Sequence, residues 1–168
     1  MRLSKLSLPG LTAAAALVLA PLVGQAAGSD TGTLSVTATV DHACTIGDAT
    51  LAFGAYNPVA VTELTNTTTI AVQCTNRTSY NITLNGGGSG VTSGNVRTMR
   101  LTPAGTTPGL TYELFSDSGL AAPLGVGVQL AGTGTGAVQN VPIYGRIAAN
   151  QYVAIGSYSD SVIATINF

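Results

Sequence analysis

Short segments in which apolar and polar residues alternate, separated by glycine- and proline-rich turns, run through this chain of 168 residues. The clearest segment covers residues 32–40, where Leu34, Val36, Ala38 and Val40 share one parity and Thr or Ser occupies the other between them. A period of two places the two sets of side chains on opposite faces of a β-strand. The pattern therefore predicts a strand over residues 32–40 with one apolar face.

The rest of the chain repeats this organisation. Further strands are predicted over residues 49–53, 67–74, 80–84, 97–102, 110–115, 138–146 and 161–168, and turn-rich stretches lie at 85–90, 103–109, 117–119 and 132–136. Sustained helical periodicity is absent from all of these segments. Short strands roughly ten residues apart with Gly and Pro turns are typical of an all-β, immunoglobulin-like sandwich or a small barrel.

Residues 1–26 have the composition of a secretory signal peptide. Arg2 and Lys5 precede an apolar run at 11–22, and the small residues up to Ala26 suit a signal-peptidase site. The apolar run is shorter than the roughly 20 residues that a bilayer core requires. The sequence therefore predicts export through the periplasm and no membrane span.

Removal of that leader leaves roughly 140 residues, the size of one domain with a substantial core. The leader takes with it both Arg2 and Lys5, so four arginines remain against seven acidic residues. A chain of this charge offers no basic patch for nucleic acid or anionic lipid. Only 8% of all residues are charged while 45% are apolar, so a packed core with an uncharged polar surface is expected.

Cys44 and Cys74 are the two cysteines of the chain, and they allow a single intramolecular pairing. An exported protein passes through an oxidising compartment, which favours a disulfide. Closing a loop of this length stabilises a fold by roughly 3–4 kcal/mol on the chain-entropy estimate. We expect a Cys44–Cys74 bridge, and two free buried thiols are the alternative.

Few residues carry recognisable chemistry. His42 is the single histidine, so any catalytic triad must include it, and a strand-end histidine is the simpler interpretation. Glu63 and Glu113 are candidates for a glycosidase pair, although isolated glutamates are ordinary. The glycines of 132–136 lack the following helix that a phosphate loop needs. We therefore expect no catalytic, cofactor-binding or metal-binding residues.

Several longer segments, taken together and in this order, resemble the spore coat protein U domain family, which includes pilin subunits of archaic, Csu-type chaperone-usher pili. The likeness runs over essentially the whole mature chain. The segments that carry it are Cys44-Thr-Ile, Leu51-Ala-Phe-Gly-Ala-Tyr56, Arg97-Thr-Met-Arg100, Leu110-Thr-Tyr-Glu-Leu-Phe-Ser-Asp117, Val141-Pro-Ile-Tyr-Gly-Arg-Ile147, Gly156-Ser-Tyr-Ser-Asp-Ser-Val162 and Ile166-Asn-Phe168.

The resemblance implies an incomplete immunoglobulin-like sandwich over residues 41–168, preceded by a donor-strand extension over residues 27–40. In this family a periplasmic chaperone first completes the sandwich, and the extension of the next subunit replaces it in the fibre. Leu34, Val36, Ala38 and Val40 would then be the donor residues. The C-terminal strand over 161–168 would border the open groove, with one parity facing inward: Val162, Ala164, Ile166 and Phe168.

The predicted function is that of a polymerising structural subunit of a chaperone-usher pilus or related coat, at the cell surface, with a role in adhesion and biofilm formation. Its partners would be a periplasmic chaperone, an outer-membrane usher and copies of itself or related subunits. Three alternatives remain open: residues 32–40 as an ordinary first strand of their own sheet, a secreted carbohydrate-binding or matrix protein, and a small secreted hydrolase. The low aromatic content and the absence of tryptophan give the carbohydrate-binding alternative no support.

Overall fold

A computed structural model gives the structure of Gly24 and of residues 27–89, 91–102 and 108–168. Apart from Gly24, the predicted signal peptide lies outside these described residues. The chain divides into two units, an N-terminal unit that ends at Ala38 and a larger unit over Thr39–Phe168. None of the described residues of the N-terminal unit belongs to a strand, and residues 27–38 are all exposed.

The larger unit consists of short strands joined by turns. In chain order they are β1 Cys44–Ile46, β2 Leu64–Cys74, β3 Ser79–Leu84, β4 Val91–Ser93, β5 Val96–Thr102, β6 Leu110–Phe115, β7 Gln129–Thr133, β8 Val138–Ile147, β9 Ser157–Ser159 and β10 Ala164–Asn167. Helices are absent from the described part of the chain, so no helix there is long and apolar enough to cross a membrane.

The strands form two antiparallel sheets. The larger sheet has the order β1-β2-β8-β6-β5-β4, with β9 paired to β5, and the smaller sheet has the order β10-β3-β7. The most extensive pairing joins β2 to β8, from Leu64 opposite Ile147 to Gln73 opposite Val138. Consecutive strands such as β2 and β3 lie in different sheets, which is the connectivity of an immunoglobulin-like sandwich. The predicted all-β class is confirmed.

One apolar core joins the two sheets. In β3, Tyr80, Ile82 and Leu84 are buried while Ser79 is exposed, so the alternation of the sequence becomes an inner and an outer face. The core continues through both sheets and comprises Ile70, Val72, Cys74, Tyr80, Ile82, Leu84, Leu110, Tyr112, Leu114, Leu124, Ile143 and Ile147. Burial of this apolar area is the main favourable term in the stability of the unit.

Gly145 shows why a glycine lies in the middle of β8. It is buried, and a Cβ at this position would meet the side chains of Leu51 and Phe53. The absence of a side chain lets these two residues lie close against the sheet. Gly145 therefore shapes one wall of the groove described below.

The predicted strands differ from the observed ones in three ways. Residues 32–40, 49–53 and 161–163 alternate as strands do, yet none of them belongs to a strand in the structure. The predicted turn at 132–136 overlaps the end of β7. Gly132 belongs to this strand and lies against the ring of Tyr80, where a Cβ would collide. β1, β4, β7 and β9 were not predicted. β1, β4 and β9 have three residues each, which is too short for a period to be recognised, and β7 overlaps the predicted turn.

Candidate functional site

The C-terminal strand lies at the edge of the smaller sheet. β10 pairs with β3, with Ala164 opposite Leu84 and Asn167 opposite Asn81, and it is the first strand in the order β10-β3-β7. Within the described residues, β10 therefore has a strand neighbour on one side only. An unpaired strand edge presents free N–H and C=O groups to a further strand.

An open groove begins where β1 and β10 part. A cavity of about 760 Å³ lies between residues 46–53 on one side and residues 159–164 on the other. The residues at its floor belong to the apolar core of both sheets: Ile70, Leu84, Leu114 and Ile143. Core residues that line a water-accessible groove leave apolar surface uncovered, and such surface commonly marks a binding site.

A second cavity continues the groove along the same side of the domain. It measures about 750 Å³ and lies between residues 51–56 and residues 153–158. The two cavities share a wall formed by Leu51, Ala52, Phe53, Met99 and Tyr158. Together they form one apolar groove with two compartments, each roomy enough for several side chains.

Residues 47–53 form the wall of the groove opposite the C-terminal segment. Leu51 and Phe53 are half-buried, while Thr50 and Ala52 are exposed, so the alternation is that of a strand. The Gly47 N–H donates to the Ala71 carbonyl of β2, but beyond Gly47 this segment has no strand partner within the described residues. Its shape and polarity are those of a strand whose hydrogen-bonding neighbour is missing.

The four predicted groove residues occupy different environments. Val162 and Ala164 line the first cavity, whereas Ile166 packs against the core beside β3 and does not line either of these two cavities. Phe168, the last residue, is 59% exposed. Val162, Ala164 and Ile166 are therefore half-buried, and the residues between them are exposed.

The four predicted donor residues are exposed to solvent. The exposed fractions of Leu34, Val36 and Val40 are 85%, 81% and 80%, and Ala38 is exposed as well. A clean apolar face of this size usually lies buried in a sheet. Here the expected one-face-buried strand has neither a strand partner nor burial within the described residues.

A polar cluster lies at the edge of the first cavity. Tyr112 Oη donates to Asp160 Oδ2 at 2.6 Å, and the backbone N–H groups of Gly88 and Ser161 donate to Asp160 Oδ1 at 2.7 and 2.8 Å. A Cβ at Gly87 would collide with this carboxylate, so glycine is needed there. These bonds fix the segment in which the chain passes from β9, in the larger sheet, to β10, in the smaller one.

Arg97 supplies the positive charge near this cluster. Its side chain is fully buried, with Nε and Nη1 donating to the carbonyl oxygens of Asn85 and Leu124 at 2.9 Å each. Burial lowers the pKa of Arg97, and the nearby Tyr112 and Asp160 oppose that shift. Burial, together with the hydrogen bond to Asp160, raises the pKa of Tyr112 far above its usual value.

The two cysteines are joined by a disulfide, as predicted. Cys44 of β1 lies directly opposite Cys74 of β2, so the bridge attaches the edge strand β1 to the larger sheet. His42 precedes this bridge, and its Nδ1 lies 3.2 Å from the Oγ1 of the buried Thr78. His42 therefore anchors the start of the domain to the turn between β2 and β3.

The two glutamates considered as a glycosidase pair both lie beside one arginine. Glu63 and Glu113 both face Arg146, whose Nη1 lies 3.7 Å from Glu63 and whose Nη2 lies 2.6 Å from Glu113. The same guanidinium lies over the ring of Phe115, at 4.9 Å from its centroid. Across the described parts of the chain, no group of three or more His, Cys, Asp or Glu is placed to hold a metal ion.

Sequence reasoning missed two contributors to the groove. Asn85 receives the N–H of Ile163 on its Oδ1 and donates its own backbone N–H to the Ile163 carbonyl, so it prolongs the β3–β10 pairing. Gln151 bonds to both the backbone and the hydroxyl of Thr111, which fixes the loop along the second cavity. Single polar residues in turn regions have no periodicity, so the sequence offered no signal for either.

Comparison with known proteins places the fold and the family. The sequence profile of the Spore Coat Protein U domain matches residues 30–165. "Protein U" of Myxococcus xanthus is 36% identical over an alignment of 182 residues that covers 100% of both chains.

Among solved structures, one chain matches with a TM-score of 0.55 and 23% identity, over 77% of this chain and 40% of its own length. It comes from the CsuC–CsuE chaperone-tip adhesion subunit pre-assembly complex of the archaic chaperone-usher Csu pili of Acinetobacter baumannii. The present chain thus spans about 40% of that chain. The similarity in structure agrees with the immunoglobulin-like, pilin-type sandwich, and the profile match covers most of the sequence. The chain belongs to the Spore Coat Protein U domain family.

Proposed function

We propose that this protein is a structural subunit that polymerises by donor-strand complementation. In this arrangement the extension over residues 27–40 of one copy enters the apolar groove of the next copy, within residues 41–168. The observation that carries the proposal is a groove lined by core residues in a chain that also holds an exposed strand-like segment with one apolar face. Each of these features supplies what the other lacks.

The energy available from such an insertion is large. Burying Leu34, Val36 and Val40 contributes roughly 1.5–3 kcal/mol each. Every new backbone hydrogen bond along β10 adds roughly 0.5–1.5 kcal/mol net. The total, on the order of 10 kcal/mol before ordering costs, is comparable to the stability of a small domain. Completion of the sandwich would therefore govern whether subunits stay folded and joined.

The assembly that best fits this chain is a chaperone-usher pilus or a related coat. The solved structure that it resembles comes from a chaperone-tip adhesion subunit pre-assembly complex, and this supports a periplasmic chaperone as the first occupant of the groove. An outer-membrane usher and further subunits of the same kind would then be the later partners. The role is structural rather than enzymatic, in fibres that serve adhesion and biofilm formation.

Export is the remaining part of the proposal. A donor extension is useful only if it is freed at its N-terminus, which requires removal of residues 1–26. N-terminal sequencing of the protein from the cell surface should begin near Ala27. A surface protein that retains Met1 would contradict this step.

The experiment that tests the function replaces Val36 with Asp. The charged side chain cannot enter an apolar groove without a partner, so polymerisation should be lost. Since Val36 is 81% exposed in its own subunit, the variant should still accumulate as a soluble complex with its chaperone. Thr37→Asp is the matched control, because Thr37 has the opposite parity and should remain at the solvent face after insertion.

Two measurements separate the outcomes. Co-purification with the chaperone reports the fold of the subunit, and electron microscopy of the cell surface reports fibres. Val36→Asp subunits that remain chaperone-bound without forming fibres, alongside fibres of Thr37→Asp, support donation. Loss of the chaperone complex in Val36→Asp would mean that residues 32–40 belong to the subunit's own sheet, and the proposal would then fail.

A further inference from the structure

The groove is open along only part of the C-terminal segment. β1 and β10 lie against each other, and the two cavities begin where these strands end, at Ile46 and Ala164. From there the groove runs past Asp160 and Tyr158 toward Val153. An incoming strand therefore finds its apolar compartments alongside residues 153–164.

The donor segment and the groove have matching size patterns. Along the extension the apolar face reads Leu34, Val36, Ala38 and Val40, which is two large side chains, one small and one large. Along the C-terminal side of the groove, the inward residues are Ala164 and Val162 in the first cavity, then Asp160 with its polar cluster, and then Tyr158, which also lines the second cavity. Side chains of one face are roughly 6.6–6.8 Å apart along a strand, so only one register places the small side chain beside Asp160.

We infer that the extension of a second copy of this chain binds antiparallel to β10 with Leu34 opposite Ala164 and Val36 opposite Val162, so that Ala38 lies at Asp160. Leu34 and Val36 then fill the first cavity and Val40 enters the second. This inference rests on the proposed function and adds the register, which decides which donor fits which groove. The antiparallel direction follows the described pairs of this structure, all of which are antiparallel.

Asp160 explains why the donor position next to it is small. Its carboxylate already accepts bonds from Tyr112, Gly88 and Ser161, and the buried Arg97 lies nearby with its positive charge. Covering this carboxylate with a methyl group leaves those bonds in place. A larger side chain at position 38 would have to displace the carboxylate, which breaks bonds in this polar cluster.

The free edge of β10 sets which residues of the two strands can be crosslinked. The Ile163 carbonyl accepts the N–H of Asn85, so the backbone of residue 163 points toward β3. Residues 165 and 167 have the same orientation, because alternate residues of a strand bond to the same side. Facing the incoming strand, residues 163, 165 and 167 are thus non-hydrogen-bonded positions, where Cα atoms approach to about 4.5 Å.

Paired cysteines can therefore measure the register. Ser35→Cys is placed in the full chain together with Ile163→Cys, Thr165→Cys or Asn167→Cys, three exposed positions on the outer parity of the C-terminal segment. The inferred register puts residue 35 opposite 163. The other two combinations correspond to slips of two and four residues that keep the same face inward. Neighbours displaced by two residues are about 7–8 Å apart, beyond the reach of a disulfide.

Fibres assembled by the exported full chain are oxidised and run on non-reducing gels. We expect a ladder of covalent multimers for Ser35→Cys with Ile163→Cys, at least about tenfold stronger than for the other two pairs, because only that pair meets disulfide geometry. Native Cys44 and Cys74 form their own bridge and do not compete. Ala38→Leu should in addition abolish fibres, whereas Val40→Leu should retain them, since Val40 faces the open space of the second cavity.

Other results distinguish a wrong register from a wrong function. A ladder with Thr165→Cys or Asn167→Cys instead would overturn the register and leave donor-strand complementation intact. Fibres of the double variants with no ladder for any pair would overturn the inferred register, because residues 35 and 163 would then not be adjacent. A wild-type chain that never forms fibres with its chaperone and usher present would count against the proposed function itself.

Discussion

The β2–β8 pair and the segments around the groove have the same alternating sequence pattern, but only the β2–β8 pair is paired and buried. β2 alternates along Leu64–Cys74, is paired with β8 over nearly its whole length, and buries Ile70 and Val72. Residues 32–40 alternate at least as regularly, yet Leu34 and Val36 are exposed. Alternation therefore specifies the capacity to form a strand, while burial requires a partner strand at the right edge.

Two more segments belong to the second group. Residues 49–53 and 161–163 alternate, lie on opposite sides of the first cavity, and belong to no strand within the described residues. A strand placed between them would give all three segments the neighbours they lack. The apparent errors of strand prediction thus fall at the site of the proposed function, where a chain departs from local consistency.

The largest loss of stability is expected from a substitution at Arg97, in the paired region. Arg97→Ala removes a buried charge that bonds to the carbonyls of Asn85 and Leu124 and faces Asp160, so the free energy of unfolding should fall by about 3–5 kcal/mol. Urea denaturation of the purified subunit measures it. Arg100→Ala is the control: Arg100 is exposed and bonds to Ser89, and its loss should lower stability by less than about 1 kcal/mol. Equal losses would contradict the structural role of Arg97.

The second largest loss of stability is expected on removal of the disulfide. Replacing both Cys44 and Cys74 with Ser opens a loop with a sequence separation of 30, and stability should fall by about 2–4 kcal/mol. Because β1 is an edge strand attached to β2 by this bridge, hydrogen exchange should quicken first at residues 44–46. Unchanged exchange in β1 would show that strand pairing alone holds this wall.

The next effect is a loss of folding stability at alkaline pH, to which Tyr112 contributes. Because its folded pKa is raised, the folded state keeps the proton, and the stability this provides is complete below the unfolded value near 10 and is lost as the pH rises toward the folded pKa. Above pH 10 the free energy of unfolding should therefore fall by up to about 1.4 kcal/mol per pH unit from this residue. Tyr112→Phe should flatten that fall. An identical slope in the variant would rule out Tyr112 as its source.

The smallest effect on the free subunit is expected at the groove wall. Leu51→Ala removes a half-buried side chain that lacks a strand across from it, so stability should fall by only about 1 kcal/mol, less than a fully buried leucine loses on the same truncation. Ile82→Ala, in a fully buried position of β3, should lose about 2–5 kcal/mol. In assembled fibres the loss at Leu51 should rise toward that at Ile82. If Leu51→Ala left the stability of the fibre unchanged, the difference drawn between the paired region and the groove would be wrong.

Much of the fold and part of the groove could be predicted from the sequence. Strands such as Leu110–Phe115 were located to the residue because a regular period is bounded by turn residues. The bridge between Cys44 and Cys74 followed from export and from the single possible pairing. The resemblance to the family supplied the idea of a groove, and the family itself is confirmed.

The rest depends on contacts that one sequence does not encode locally. The polar cluster of Arg97, Tyr112 and Asp160 brings together residues from three distant segments, and no motif or residue spacing predicts it. The division of the groove into two cavities lies at residues that are distant in sequence, such as Phe53 and Tyr158, which line both cavities. Which of Val162, Ala164, Ile166 and Phe168 face the groove depends on how near β1 comes to β10.

The central claim is that the extension and the groove walls become paired strands only when subunits join. Hydrogen exchange of backbone amides, followed by mass spectrometry, tests this directly on the wild-type chain as free subunit and as fibre. The account predicts that amides over residues 33–40 exchange within seconds in the subunit and become protected by at least about a thousandfold in the fibre, since stable strand pairing gives protection of this order. Residues 49–53 and 161–166 should gain protection with them, while β2 and β8 stay protected in both states. Protection of residues 33–40 already in the free subunit, or its absence in the fibre, would contradict the account.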